Sequence, residues 1–269
     1  MQLKNLVILV LVVFFALFFM GLTPAAEHQE EFQKVLPLSS QGTFSLKNVN
    51  GEVRVSTWKE EKVEIKALKQ TNKAAENLQK VKIEVTTAAD SVSVDTVYPK
   101  HGNTGVSVDY DIKVPEGVNL GELSSVNGSV GITGAFGRVS ASTVNGRVHL
   151  ENASGDLELE TTNGDVKAIN VNGPIDAHTT NGSITLELTK LEAEVSAETT
   201  NGGITLRLST TQEINATLEA ETVNGSISFD FPVTLQSLEK SRHHLRGQIG
   251  RGGPRISLET VNGSIRLTR

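Results

Sequence analysis

The chain has 269 residues, no cysteine and a formal net charge of −6. Without cysteine it can form no disulfide and perform no thiol chemistry, so its stability has to come from burial and backbone hydrogen bonds. The acidic balance argues against nucleic acid as a partner. Aromatic residues make up 4% of the chain, which is little material for a base-stacking platform or an aromatic sugar-binding cleft.

The first 26 residues have the order of a targeting segment. Lys4 precedes an apolar run over residues 6–22, and small residues follow at positions 23–26. This order is typical of a signal peptide, so we expect export to the periplasm or the cell surface. The apolar run is close to the shortest that spans a bilayer of about 30 Å. Retention of residues 6–22 as a membrane anchor is therefore the alternative to cleavage.

Residues 27–120 form a strand-rich part without a regular repeat. Apolar and polar residues alternate in several segments between residues 53 and 114, as in residues 106–114, and this pattern predicts half-buried strands. Only residues 72–80 have a helical pattern, with Asn72 as its predicted N-cap. Residues 115–117 then break the last strand and lead into the repeats.

A glycine occurs at every ninth position from Gly128 to Gly182, and asparagine precedes five of these seven glycines. A first copy of the unit begins at Val49, and further copies follow up to the C-terminus. A fixed period of this kind indicates a repeat architecture. We predict a single domain over residues 27–269, with repeat coils over 121–269 and an insertion at 231–255 that forms a loop outside the coils.

Asn-Gly between alternating residues also predicts hairpins, so that fold has to be weighed first. In each nine-residue unit apolar residues recur at positions five and seven, and also at position one, as in Val126, Val144 and Val171. Hairpins would put position one on the opposite face from five and seven. A corner at Asn-Gly lets all three point inward. The favoured fold is therefore all-β, a parallel β-solenoid (β-helix) with two-sided coils of about 18 residues.

The 18-residue spacing stacks one set of asparagines directly above another. Strands of neighbouring coils lie about 4.8 Å apart, so side-chain amides at one corner can bond from coil to coil. Asparagine and glycine also tolerate the left-handed backbone that a tight corner needs. The predicted corner ladder consists of Asn127, Asn145, Asn163 and Asn181.

These repeats, the DIKVP segment at residues 111–115 and the closing segment at residues 244–265 resemble the DUF4097 family. That family consists of bacterial β-strand-repeat proteins labelled as adhesins. The resemblance implies a β-helical exported protein of the bacterial cell envelope. It brings no catalytic residues to carry over to this chain.

Residues 240–255 are basic in an acidic protein. One hypothesis is a patch that binds an anionic ligand, such as lipopolysaccharide, phospholipid or an acidic glycan. The alternative is a solvated loop that bridges two coils. The patch would consist of Arg242, His243, His244, Arg246 and Arg251.

Other candidate chemistry is weaker. The six histidines do not converge in the pattern, so we expect no metal site and no cofactor. Four glutamates share one place in the recurring phrase and would form an exposed row if their coils align, although their spacing is irregular. These are Glu160, Glu198, Glu221 and Glu259.

The sequence therefore predicts an exported, non-enzymatic binding or scaffolding module of the adhesin-like kind. One alternative is a carbohydrate-active enzyme on a β-helix, which would need a groove of clustered acids and aromatic residues. Another is a membrane-anchored interaction or signalling accessory. The chain ends directly after its last repeat, so we expect an open last coil that is protected by Arg266 and Arg269 or pairs edge to edge with a second copy.

Overall fold

The computed structural model describes residues 28–208, 214–229 and 235–269. The predicted leader, residues 1–26, lies outside the described residues. A 3₁₀ helix at Ala75–Lys80 replaces the predicted helix, and Ala74, not Asn72, precedes it as N-cap. The strands are β1 His28–Pro37, β2 Thr43–Lys47, β3 Val53–Trp58, β4 Lys62–Thr71, β5 Lys82–Ala88, β6 Ser91–Val97, β7 Val106–Pro115, β8 Asn119–Asn127, β9 Val130–Thr133, β10 Val139–Asn145, β11 Val148–Ser154, β12 Leu157–Asn163, β13 Val166–Asn172, β14 Ile175–Asn181, β15 Ile184–Leu188, β16 Val195–Asn201, β17 Ile204–Leu208, β18 Ala216–Asn224, β19 Ile227–Phe229, β20 Leu235–Lys240, β21 His244–Ile249, β22 Arg255–Asn262 and β23 Ile265–Thr268.

Two sheets face each other across one apolar core. Each coil gives one strand to each sheet, and strands of successive coils pair in parallel, as in Val139↔Leu157 and Val148↔Val166. Register shifts occur between β8 and β10 and between β13 and β15. Along the coil strands β10 to β17 buried residues mostly alternate with outward ones, so valine, isoleucine and leucine fill the space between the sheets. The predicted all-β parallel solenoid is confirmed. Sheet A has the order β1-β4-β7-β3-β9-β11-β13-β15-β17-β23-β19, and sheet B has the order β20-β21-β18-β22-β16-β14-β12-β10-β8-β2-β6-β5.

The C-terminal coil lies inside the stack, so the prediction of an open last coil is wrong. Strand β23 pairs with β17 on one side and with β19 on the other, through Ile204↔Ile265 and Ile227↔Ile265. Strand β22 lies in the same way between β16 and β18. Because both strands have partners on both sides, Arg266 does not protect an open edge, and this coil offers no edge for self-association.

The predicted loop at residues 231–255 is also wrong, because strands β20 and β21 form an antiparallel hairpin that extends sheet B beyond β18. Leu245 and Ile249 of β21 are buried. The hairpin pairs with the outer edge of β18, and the burial of Leu245 and Ile249 favours this position.

The N-terminal end is closed by antiparallel strands on both sheets. Strand β4 pairs with β7 and carries β1 at the edge of sheet A, while β5 pairs with β6 at the edge of sheet B. The buried Lys69 ammonium lies 2.9 Å from Glu30 of β1. The Tyr110 hydroxyl is 2.7 Å from Thr96 Oγ1, and burial raises the pKa of this tyrosine. The chain therefore caps this end with its own first strands.

The inward position expected for all three valines is only partly right. Val171 is fully buried, whereas Val126 and Val144 are 39% and 41% exposed. The reason is that alternate units turn at two different corners. The first corner follows a sheet B strand at the Asn-Gly pair, and the second corner follows a sheet A strand. At the first corner the residue before asparagine points outward, so a nine-residue unit is half of the true repeat.

Candidate functional site

The asparagines of the first corner form one hydrogen-bonded ladder. From the second member onward, each side-chain amide donates to the side-chain carbonyl oxygen of the preceding asparagine at 2.8 to 2.9 Å. The ladder extends beyond the four predicted members at both ends, because the irregular copies of the repeat stack in the same register. Among the described residues its order is Asn50, Asn127, Asn145, Asn163, Asn181, Asn201, Asn262 and Asn224.

The glycines of the first corner are required by close stacking, and in the regular coils they do not have the expected left-handed backbone, although Gly51 in the first copy does. None of Gly128, Gly146 and Gly164 has a positive φ. A Cβ on Gly164 would lie 1.8 Å from the carbonyl oxygen of Gly146 in the coil below. Buried threonine hydroxyls reach the same carbonyl groups, as from Thr161 to Gly146 at 3.0 Å. Asparagine, glycine and threonine at this corner therefore serve the coil itself.

The basic residues of 240–255 do not form one patch. Arg242 and His243 lie in the turn before β21, and Arg251 lies in the turn after it. The six-residue strand between these turns is about 20 Å long. The backbone N–H of Arg251 donates to Asn215 Oδ1 at 2.8 Å.

The two basic residues within β21 have acidic neighbours on β18. His244 is the register partner of Glu221, and Arg246 is the partner of Glu219. Glutamates therefore partly balance the positive charge in the strand, and an anion would meet carboxylates beside each of these side chains.

The four recurring glutamates lie in one row on the outer face of sheet B, with two histidines in the same row. Register pairs run from Glu160 through His178 to Glu198, then to Glu259, Glu221 and His244. His178 Nε2 is 2.6 Å from Asp176, and its Nδ1 is 3.5 Å from Glu198. All four glutamates are exposed. The alignment arises because the sheet B strands pair in one parallel register although different numbers of residues separate them along the chain.

A cleft that the sequence did not reveal lies on the outer face of sheet A. It has a volume of about 830 Å³ and opens to solvent above strands β3, β9 and β11. Charged and hydroxyl side chains line it, and the floor is strand β9. The polar residues of the lining include Glu52, Arg54, Ser56, Asp111, Ser129, Thr133, Arg147, His149, Asp165 and Lys167.

Neither a metal-ligand cluster nor a membrane-spanning helix occurs in the part of the chain that the structure describes. In residues 28–208, 214–229 and 235–269, no group of three or more His, Asp or Glu side chains is placed to hold a metal ion. Across the same ranges, no helix has the length and apolar character needed to cross a membrane.

A match to a protein-family model shows which family the chain belongs to. A family model described as Toastrack DUF4097 matches residues 34–268. The chain belongs to this family. The match confirms the resemblance inferred from the repeats and covers both the irregular N-terminal strands and the Asn-Gly coils. No curated protein matches the chain.

Solved structures similar to this Toastrack chain are distant relatives. One is described as a "putative cell adhesion protein" from Clostridium sporogenes, at 12% identity and a TM-score of 0.33, covering 89% of this chain and 99% of that one. A "putative adhesin" from Bacteroides fragilis has 12% identity and a TM-score of 0.44, over 89% and 96%. A "putative lipid binding protein" from Parabacteroides distasonis has 11% identity and a TM-score of 0.40, over 91% and 98%.

Proposed function

We propose that this Toastrack protein is an exported, non-enzymatic binding or scaffolding module of the bacterial cell envelope, with an adhesin-like role. The observation that carries the proposal is the pair of long outer faces, one on each sheet. Side chains on these faces stand in register from coil to coil, as in the row from Glu160 to Glu221. The eight stacked asparagines give the coil a length of about 34 Å. Such a surface suits extended contact with another envelope component.

Two further observations support the proposal. The leader pattern of residues 1–26 favours export. The repeated asparagine, glycine and threonine residues serve the coil, which leaves the outward side chains free to vary with the partner. The descriptions of the distant structures as adhesins or a lipid-binding protein are compatible with this role.

Location can be tested in intact cells. We expect added protease to digest the protein either in whole cells, for a surface location, or after release of the periplasm. Sequencing the N-terminus of the recovered protein separates a cleaved leader from a retained anchor at residues 6–22. A protein that stays protected with the cytoplasmic fraction, and that keeps its N-terminus, would contradict export.

Binding can be tested separately with the purified protein on immobilised envelope preparations. We expect saturable retention that heat-denatured protein does not show. Retention equal to that of an unrelated acidic protein of similar size would contradict the binding role. This assay does not depend on which surface of the coil makes the contact.

A further inference from the structure

Gly131 is a glycine that the coil does not require. It lies inside strand β9, its φ is outside the left-handed region, and a Cβ placed on it would meet no atom within 4 Å. By contrast, a Cβ on Gly128, three residues earlier, would lie 1.9 Å from the carbonyl oxygen of Gly51. A glycine inside a strand weakens it, because the flexible backbone loses more entropy on folding and no side chain packs. Gly131 therefore lowers the stability of the strand, and neither a tight turn nor a close approach of another chain segment requires it.

Because Gly131 has no side chain, a notch interrupts the row of basic residues on the outer face of sheet A. Arg54 of β3 and His149 of β11 are the register partners of Gly131 on either side. Lys167 follows His149 in the same row. Ser129, directly before β9, and Thr133, at its end, lie on either side of the notch along the chain. Gly131 thus forms the floor of the sheet A cleft, and a bulky residue here would divide it.

The two walls of the cleft have opposite net charge. On the β3 and β7 side, Glu52 and Asp111 outnumber Arg54, which gives −1. Arg54 already contacts Glu52.

On the β11 and β13 side, Arg147 and Lys167 outnumber Asp165, which gives +1 with His149 neutral. Arg147 lies 3.8 Å from Asp165, whereas Lys167 has no ion pair within the described residues. The positive wall therefore offers a cation that no carboxylate of the described chain engages.

The paired strands and polar side chains of the cleft indicate which class of ligand it can bind. Strands β3, β9 and β11 each have partners on both sides, so no backbone edge is available for an added peptide strand. Recognition falls to carboxylate, hydroxyl, imidazole and cationic side chains. A saccharide matches this set, because its hydroxyl groups both donate and accept hydrogen bonds, and a carboxylate on the sugar matches the unpaired ammonium.

We propose that the cleft above Gly131 binds a saccharide unit that carries one acidic group. The acid faces Lys167 and Arg147 on the positive wall, and hydroxyl groups of the sugar face Glu52 and Asp111 on the other wall. This inference rests on the proposed binding function and gives it a site and a ligand class. Glycine at position 131 is the feature that makes room for the sugar.

The test uses the purified protein on an array of oligosaccharides that end in uronic or sialic acid, each beside its neutral counterpart. We expect the acidic members to bind and the neutral ones to bind more weakly. Gly131→Val fills the notch and should weaken binding by roughly tenfold or more, with an unchanged or higher Tm. Lys167→Gln should reduce the preference for the acidic member over the neutral one.

The matched control is Thr205→Val, in the same row but four strands away, about 19 Å from Gly131. It should bind as the unaltered protein does. Unchanged binding by Gly131→Val would overturn the site, and equal binding of neutral and acidic saccharides would overturn the acidic group. Failure to bind any saccharide would overturn the whole inference. The envelope-retention assay would still decide the proposed function, since it does not depend on saccharide.

Discussion

The two corners of each regular coil turn the chain by different means. At the first corner, Asn163 and Gly164 turn without a left-handed residue, and contacts with the coil below hold the turn. At the second corner the backbone is left-handed: Asn152 and Asn170, near the ends of β11 and β13, have φ values of 55° and 54°, and the Asn170 side-chain amide donates to Asn152 Oδ1 at 3.2 Å. Both corners stack closely on the coil below, since a Cβ on Gly155 of the second corner would lie 2.2 Å from Gly137 O. The two corners therefore differ in the backbone conformation of the turn and in the asparagine ladder, which joins only the first corners.

This difference explains where the regular coils accept extra residues. The connection at the second corner between β15 and β16, residues 189–194, makes its coil two residues longer, because Ile175 pairs with Val195 whereas Leu157 pairs with Ile175. The first corners from β10 to β17 keep the same short Asn-Gly connection. The asparagine ladder bonds the first corners from coil to coil at 2.8 to 2.9 Å, and an insertion there would separate the bonded side chains. At the second corner the described asparagines share one such bond, from Asn170 to Asn152 at 3.2 Å, so lengthening the chain there breaks fewer contacts between coils.

The largest effect is expected for Gly164→Ala at the first corner. Its Cβ would approach Gly146 O to 1.8 Å, so neighbouring coils would have to separate. We expect the free energy of unfolding to fall by about 3 kcal/mol or more, measured by urea unfolding followed by circular dichroism. Gly131→Ala serves as the control, because it adds the same methyl group in open space. Equal losses in both variants would show that stacking distance is not the cause.

Thr161→Val tests the hydroxyl contact beneath the same corner. The side chain is 2% exposed and donates to Gly146 O at 3.0 Å. Valine keeps the shape and removes the donor, so we expect a loss of about 1–2 kcal/mol in unfolding free energy. Thr161→Ser keeps the hydroxyl and serves as the comparison. If the serine variant unfolds at a lower urea concentration than the valine variant, packing rather than hydrogen bonding holds Thr161.

At the second corner, Asn170→Ala should cost about 1 kcal/mol more than Asn170→Gly. Both variants lose the hydrogen bond to Asn152, so their difference isolates the left-handed φ of 54°. The readout is the difference in urea midpoint between the two variants at equal slope. Identical midpoints would mean that the backbone conformation does not hold this corner.

At the first corner, replacing asparagine by glycine should cost at least as much stability as replacing it by alanine, unlike at the second corner. Asn163 has no positive φ and takes part in two ladder bonds of 2.9 Å. Asn163→Ala should lose about 1 kcal/mol, and Asn163→Gly should lose at least as much, because glycine gains nothing from a left-handed turn here. Thermal unfolding of both variants checks the order. A more stable glycine variant would remove the distinction between the corners.

The sequence predicted the coil because its period depends on local residues that recur. Asn145 and Asn163 are 18 residues apart, and this spacing alone gives the number of residues in one coil. The order of the outermost coils could not be predicted. The phrases that end at Asn224 and Asn262 are nearly identical and can stack on any other copy, so nothing local places β22 inside β18.

The sequence contains one sign of the cleft, but the meaning of that sign depends on how the coils stack. Gly131 falls outside the nine-residue metre, which marks it as a glycine that no corner needs. Its neighbours Arg54 and His149 are 77 and 18 residues away along the chain, and only the parallel register brings them to either side of it. The basic stretch at residues 240–255 looked stronger in sequence because its charges are consecutive, yet a strand separates its two ends.

The regular residues serve the coil, whereas Gly131 departs from the nine-residue pattern and makes room for a ligand. The most direct measurement is the unfolding free energy of Gly131→Val. We predict a gain of about 0.5–1 kcal/mol, because a β-branched residue in open space strengthens a strand. A loss comparable to that of Gly164→Ala would show that Gly131 is required by the fold, and would contradict the claim.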